Sequence, residues 1–219
     1  MAVIRSGEAR GLGLWRSLSL LGLAWILGSQ PAPAALPSAA HAEDLARIED
    51  YLNGLTTLKS DFVQINPDGG TVTGELYYQR PDKMRLDYNP PSPILIISDG
   101  WWVIYYDRKL KQVSHLAINS TPLGFLLSDR IRLSGDVTVT NVERSAGELH
   151  ITLVKTEEPN QGSIQLSFAE NPLELRRWTI FDAQGQATHV MLEAPQTGLQ
   201  LDRELFHFRN PQFYPGARN

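Results

Sequence analysis

The sequence contains no cysteine among its 219 residues. A chain without cysteine cannot form disulfide bonds, use a thiol nucleophile, bind zinc through thiolates or carry a lipid on an N-terminal cysteine. It also lacks a long hydrophobic run, because the apolar segment at residues 18–28 has eleven residues, whereas a helix needs about 20 to span a bilayer. These two absences predict a protein that is neither disulfide-stabilised nor embedded in a membrane.

Residues 1–42 have the organisation of an export signal. A basic stretch with three arginines precedes the eleven-residue apolar segment, and residues 40–42 form an A-x-A cleavage motif. This order of a basic region, an apolar region and small residues is typical of a cleaved secretory signal peptide. We therefore predict that residues 1–42 are removed and that residues 43–219 form a single domain. The exported product is expected to be soluble in the periplasm.

An excess of positive charge is absent as well. Removal of residues 1–42 leaves 17 basic and 23 acidic residues, which is a formal charge of −6. The net field of an acidic domain repels nucleic acid, so we predict no nucleic-acid partner.

Motifs for catalysis and for metal binding are missing too. The histidines do not occur at metal-ligand spacing, and the sequence has neither a G-x-S-x-G elbow nor a phosphate-binding glycine loop. We predict no metal site, no cofactor and no enzymatic activity. A hydrolase that pairs dispersed carboxylates, such as Glu157 and Glu158, is retained as a less favoured alternative.

Apolar periodicity predicts one amphipathic helix followed by many strands. Leu45, Ile48, Leu52 and Leu55 form one helical stripe within residues 43–57. Beyond this helix, short β-rich runs alternate with turn signals, and such short connections favour antiparallel pairing. The predicted strands are 58–66, 71–80, 83–89, 93–98, 101–107, 111–117, 136–144, 148–156, 162–169, 173–182, 186–194 and 204–209.

These elements predict a mainly β protein with a strongly curved antiparallel sheet of about a dozen strands wrapped around the helix. The series of strands is interrupted at residues 120–127, where Leu123 and Leu126 belong to a short apolar helical turn. Residues 94–97 and 101–106 are apolar at both parities. Periodicity therefore leaves open which of their side chains face inward.

Arg80 raises a specific question. Strand alternation places it on the same face as the apolar Leu76 and Tyr78, immediately before Pro81. By the same alternation Met84, Leu86 and Tyr88 face inward, while Lys83 and its alternate neighbours face outward. From the pattern alone, Arg80 is expected to extend its head group to solvent at the end of the strand.

A set of motifs, in a fixed order, resembles the LolA family of periplasmic lipoprotein carriers. The resemblance covers essentially all of residues 43–215. The motifs are F-x-Q (62–64), G-x-L (74–76), R-P (80–81), M-R-L-D-Y (84–88), S-D-G (98–100), Y-D (106–107), T-P-L with L-L (121–127), D-A-Q-G (182–185) and F-x-F-x-x-P (206–211).

The resemblance implies an unclosed half-barrel whose apolar inner face is covered by helices that act as a lid. It also implies that Arg80 hydrogen-bonds carbonyls of the lid and keeps the empty cavity shut. The side chains expected to line the acyl-chain cavity are Phe62, Leu76, Tyr78, Met84, Leu86 and Tyr88. The side chains expected to belong to the lid are Leu45, Ile48, Leu52, Leu55, Leu123 and Leu126.

The family likeness implies partners as well. A monomeric carrier of this kind takes triacylated lipoproteins from an inner-membrane LolCDE-type ABC transporter and delivers them to the outer membrane. The acceptor is a LolB-type receptor or the outer membrane directly, and the second is kept because the chain ends at Asn219, earlier than the best-known carriers. An alternative is a lipid- or amphiphile-binding module, or an envelope-stress regulator, of the same fold.

Overall fold

Eleven antiparallel strands form one sheet in the computed structural model, which describes residues 39–121 and 123–213. The order across the sheet is β6-β5-β4-β3-β2-β1-β11-β10-β9-β8-β7, and within the described residues the edge strands β6 and β7 do not pair with each other. The predicted antiparallel, unclosed sheet is thereby confirmed. The strands are β1 (Thr57–Ile65), β2 (Thr71–Gln79), β3 (Lys83–Tyr88), β4 (Ile94–Asp99), β5 (Trp102–Asp107), β6 (Gln112–Ala117), β7 (Val137–Ser145), β8 (Glu148–Lys155), β9 (Ser163–Glu170), β10 (Leu173–Phe181) and β11 (Ala187–Thr197).

One α-helix, α1 (Ala39–Gly54), packs against the inner face of this sheet. Its apolar stripe forms as predicted, since Ile48 and Leu52 are buried and Leu55 is buried directly after the helix. The helix begins before residue 43, so it includes residues of the predicted cleavage motif. The remainder of the predicted signal peptide lies outside the described residues. No helix in the described ranges is both long and apolar enough to cross a membrane.

The main hydrophobic core lies between α1 and the inner face, whereas a smaller cluster lies on the outer face. Leu95, Ile97 and Tyr106 form this outer cluster, while Ile94 and Ile96 pack against the main core. The structure therefore decides the two parities that periodicity left open in β4 and β5. In β4 both parities are apolar because both faces of the strand are covered.

The predicted last strand at residues 204–209 is wrong. The chain instead forms a short 3₁₀ helix, Arg203–Phe206, and then continues without strand pairing. β11 already has β1 and β10 as neighbours, so no free edge is next to the chain where it leaves the sheet. The segment crosses the outer face instead, where the Arg85 guanidinium donates to the Leu205 carbonyl oxygen at 3.1 Å and Phe208 packs on Tyr106.

Candidate functional site

An apolar cavity lies between α1 and the inner face of the sheet. It encloses about 410 Å³ including its open mouth, and its surface is almost entirely apolar. Side chains from α1, from the loop after β6 and from both halves of the sheet contribute to it. The lining residues are Leu52, Leu55, Leu58, Leu76, Tyr78, Met84, Leu123, Leu126, Leu175 and Trp178.

The residues expected in the acyl-chain cavity all lie on the inner face, but they divide into two groups. Leu76, Tyr78 and Met84 line the cavity itself. Phe62, Leu86 and Tyr88 are buried in the adjoining core instead, with the Phe62 and Tyr88 rings packed edge to face at 5.1 Å.

The residues expected in the lid divide in the same way. Leu52 and Leu55 reach the cavity from α1, and Leu123 and Leu126 reach it from the segment around the 3₁₀ helix Gly124–Leu127. Leu45 and Ile48 belong to the core contact of α1 nearer its N-terminus.

Sequence reasoning missed three lining residues. Leu58 has the parity of Phe62 on β1, so strand alternation contained the signal for it. Leu175 and Trp178 lie on β10, where the pairing register with β9 shifts between Leu175 and Arg177. This irregularity lets two side chains three positions apart face the same side, and no local sequence pattern announces it.

The lining carries no charge near neutral pH. The Tyr78 hydroxyl donates to the Leu126 carbonyl oxygen at 2.6 Å, and burial raises the pKa of Tyr78 above its ordinary value. The Tyr88 hydroxyl donates to Gln64 Oε1 at 2.7 Å, and burial raises the pKa of Tyr88 to about 12. Because both phenols stay protonated, the inner face offers hydrogen-bonded but uncharged groups to a ligand.

Arg80 turns toward the helix rather than to bulk solvent. One terminal nitrogen of its guanidinium donates to the Leu52 carbonyl oxygen at 2.6 Å, and the other donates to the Asp129 carbonyl oxygen at 2.9 Å. The Leu52 carbonyl lies in the last turn of α1, where carbonyls lack helical partners and attract cations. Arg80 therefore joins the sheet, α1 and the loop that follows the 3₁₀ helix Gly124–Leu127.

Asn53 reinforces this junction. Its amide nitrogen donates to the Ile131 carbonyl oxygen at 2.9 Å, and its amide oxygen accepts from the Ile131 N–H at 3.0 Å. The C-terminal end of α1 is thus fixed to the 128–133 loop by paired main-chain contacts.

The N-terminal half of α1 has a second polar attachment, and no local pattern in the sequence predicts its two partners. The buried Asp44 accepts a hydrogen bond at Oδ1 from an Arg144 terminal nitrogen on β7, 100 positions along the chain. Arg144 Nε also donates to Glu170 Oε1 at 3.1 Å. Two polar atoms at these attachments, Asp44 Oδ2 and Arg80 Nε, are buried without a hydrogen-bond partner within the described residues.

One Ser–His–Glu arrangement is present elsewhere on the sheet. His150 Nδ1 lies 2.9 Å from Ser167 Oγ, and His150 Nε2 lies 3.7 Å from Glu148 Oε2. Ser167 is fully buried, so no substrate can reach its hydroxyl, and the contact satisfies two polar side chains between neighbouring strands. Within residues 39–121 and 123–213, no group of acidic or histidine side chains has the geometry to hold a metal ion.

Comparison with known proteins finds one matching family and several similar proteins. The family model described as outer membrane lipoprotein carrier protein LolA matches residues 53–209. An outer-membrane lipoprotein carrier protein from Methylococcus capsulatus is 32% identical over 183 residues, which cover 80% of this chain and 87% of that protein. An uncharacterized protein from Rickettsia prowazekii is 28% identical over 178 residues, covering 80% and 82%. A solved LolA superfamily protein from Nitrosomonas europaea has 9% identity and a TM-score of 0.44, covering 75% and 97%.

Proposed function

This chain belongs to the LolA family of outer membrane lipoprotein carrier proteins, and we propose that it binds the acyl chains of lipoproteins in the periplasm and carries them to the outer membrane. The observation that carries the proposal is the uncharged apolar cavity under α1, beside which Arg80 donates a hydrogen bond to the Leu52 carbonyl oxygen of the helix. Such a carrier performs no covalent chemistry and works as a monomer. Residues 1–42 are proposed to direct its export and to be removed as a signal peptide.

Opening of the lid follows from the size of the cavity. The 410 Å³ already include the space of the open mouth, so the enclosed part is smaller than the roughly 300–1,000 Å³ of a pocket for one drug-sized ligand. Three acyl chains therefore require α1 to move away from the sheet. Each CH₂ buried contributes about 0.8 kcal/mol, so a few methylenes offset a charge-assisted hydrogen bond of about 1.5–3 kcal/mol.

The closed state also contains a built-in weakness. Arg80 Nε and Asp44 Oδ2 are buried without hydrogen-bond partners in the described part of the chain. An unsatisfied buried polar atom costs about 1–3 kcal/mol. Both atoms belong to the contacts that hold α1 down, so opening would return them to water and reduce the cost of loading.

The proposed cargo is the triacylated N-terminus of lipoproteins, handed over by an inner-membrane LolCDE-type transporter. Delivery would end at a LolB-type receptor or at the outer membrane directly. The likeness to a relative named outer-membrane lipoprotein carrier protein supports lipoproteins as the cargo and the outer membrane as the destination, and the uncharged lining supports acyl chains as the bound group.

A second candidate is a binder of single lipids or small amphiphiles, with or without a regulatory role in the envelope. The small size of the closed cavity favours one small ligand over three acyl chains. Mass spectrometry of protein purified from the periplasm separates the two candidates. Co-purified triacylated lipoproteins would support the carrier, whereas free lipid alone would support the single-ligand binder.

Amide hydrogen exchange should report the movement of the lid. We expect amides of residues 45–57 to exchange faster when an acylated ligand is bound than in the empty protein, because loading displaces α1 from the sheet. The strands β4 and β5, whose described side chains make no hydrogen bond with α1, provide the internal reference. Equal or slower exchange in residues 45–57 on loading would contradict an opening lid.

The Arg144 attachment gives a separate prediction. Arg144→Gln removes the cation from the buried Asp44, so we expect amides in the first half of α1 to exchange faster by about tenfold. Arg47→Gln is the matched control, because Arg47 is exposed on α1 and lies 3.6 Å from the same carboxylate. Equal exchange in the two variants would show that Arg144 does not hold the helix.

A further inference from the structure

Two adjacent tryptophans stand exposed in the turn between β4 and β5. Trp101 is 83% exposed, more than any other large apolar side chain in the described ranges, and Trp102 is 48% exposed. Large apolar side chains that cluster on a surface mark interaction sites, whereas scattered single ones do not.

The turn that carries the tryptophans is well ordered. Asp99 Oδ1 accepts hydrogen bonds from the backbone N–H groups of Trp101 and Trp102, each at 3.0 Å. The Trp102 ring also packs edge to face on His115, with 6.2 Å between centroids. Hydrogen bonds therefore hold the backbone that carries both indoles, and the Trp102 ring lies against β6.

This turn lies at the same end of the sheet as Arg80. In an antiparallel meander, the β2–β3 and β4–β5 turns emerge at the same end. The two turns are also neighbours, since a Cβ built on Gly100 would lie 3.9 Å from Asp82 Cβ. The Asp82 N–H in turn donates to the Leu127 carbonyl oxygen at 2.8 Å. The tryptophans thus stand beside the contact that closes the lid.

Two arginines share this end. In the 128–133 loop, Ile131 and Leu133 are buried while Arg130 and Arg132 are exposed. Neither arginine has a hydrogen bond or an ion pair with any residue that the structure describes. This loop lies at the same end of the sheet as Arg80, because Arg80 donates a hydrogen bond to the carbonyl oxygen of Asp129 in the loop.

We propose that these four residues, Trp101, Trp102, Arg130 and Arg132, form a membrane-docking tip that brings the mouth of the carrier onto a bilayer with anionic phospholipids. The inference rests on the proposed carrier function and adds the surface that meets the acceptor. Indole rings favour the interface between headgroups and hydrocarbon, and guanidinium groups pair with lipid phosphates.

A bilayer fits this surface better than a protein partner does. The tryptophans stand on a protruding turn rather than in a groove, and a fluid interface accepts such a tip without a complementary pocket. The acidic chain, with a formal charge of −4, has no net attraction to anionic lipid, so binding must come from a local patch. Docking would place the Arg80 contact at the membrane surface, where acyl chains leave the cavity.

The test is flotation of empty protein, purified from the periplasm, with vesicles of phosphatidylethanolamine and phosphatidylglycerol. The double variant Trp101→Ala/Trp102→Ala should bind about tenfold more weakly than wild type. Leu110→Ala is the matched control, because Leu110 is 62% exposed in the turn at the opposite end of β5. The Asp107 side chain accepts a hydrogen bond from the Leu110 N–H, as Asp99 does in the tryptophan turn. It should bind as wild type does.

The arginines have their own readout. Wild type should bind vesicles with phosphatidylglycerol more tightly than neutral phosphatidylcholine vesicles. The double variant Arg130→Gln/Arg132→Gln should lose this difference, while its binding to the neutral vesicles stays unchanged. All four side chains are exposed, so thermal midpoints should match wild type and a folding defect would be visible separately.

Three results would overturn the docking tip. They are no vesicle binding by wild type, equal binding by the tryptophan double variant, and an equal loss in Leu110→Ala. Absent vesicle binding together with impaired transfer by the tryptophan variant would assign the surface to a protein partner instead. Because the assay uses no cargo, its outcome is independent of whether the protein carries lipoproteins.

Discussion

Arg80→Leu is expected to accept lipoprotein and then release it at least about tenfold more slowly than wild type, leaving cargo on the carrier. The substitution removes two main-chain hydrogen bonds that hold the closed lid. Each charge-assisted bond contributes about 1.5–3 kcal/mol, and about 1.4 kcal/mol is a factor of ten in an equilibrium. It also makes the mouth of the cavity more apolar. Both changes favour the loaded, open state over the empty, closed one.

Transfer of a labelled lipoprotein from each variant to acceptor membranes measures this effect. Arg80→Lys should be intermediate, because it keeps the charge but loses the planar fork that reaches Leu52 and Asp129 together. Arg47→Leu removes an exposed cation from α1, the helix that Arg80 contacts, and this variant should transfer lipoprotein at the wild-type rate. If Arg80→Leu unloads at the wild-type rate, Arg80 does not act as the latch and its contacts with the helix are structural.

Gly74→Val is expected to lower the free energy of unfolding by more than about 3 kcal/mol, which is at the severe end for one substitution. Gly74 lies on β2 between Phe62 of β1 and Tyr88 of β3. A Cβ at this position would lie 2.3 Å from the Asp87 carbonyl oxygen and 2.7 Å from two carbons of the Phe62 ring. The backbone oxygen cannot move without breaking the pairing of β2 and β3, so the clash has no inexpensive relief.

Urea unfolding followed by circular dichroism tests this prediction. Gly54→Ala is the matched control, because a Cβ on Gly54 meets nothing within 4 Å at the end of α1, and it should change stability by no more than about 1 kcal/mol. Removing the ring with Phe62→Leu should not rescue Gly74→Val, since the Asp87 oxygen remains. A wild-type midpoint for Gly74→Val would contradict the close approach seen around this glycine.

Elements with strict alternation could be read from the sequence. The inner parity of β2 and β3 was predictable because polar residues occupy the other parity, Glu75 and Gln79 on β2 and Arg85 and Asp87 on β3. The helical stripe of α1 was predictable for the same reason, with a period of 3.6. In β4 and β5 both parities are apolar, so the choice depended on the C-terminal segment that covers the outer face.

The sequence by itself determined the antiparallel class of the fold, the inner face of β2 and β3, the helix that covers them and the family motifs. Only the tertiary structure decided the bond from Arg144 to Asp44, the irregularity in β10 that turns Leu175 and Trp178 into the cavity, and the loss of the predicted last strand. The physical reason is the sequence separation of the residues that interact. Alternation and helical period are properties of neighbouring residues, whereas these three features depend on which strands become neighbours in a sheet whose pairing joins residues more than 100 positions apart.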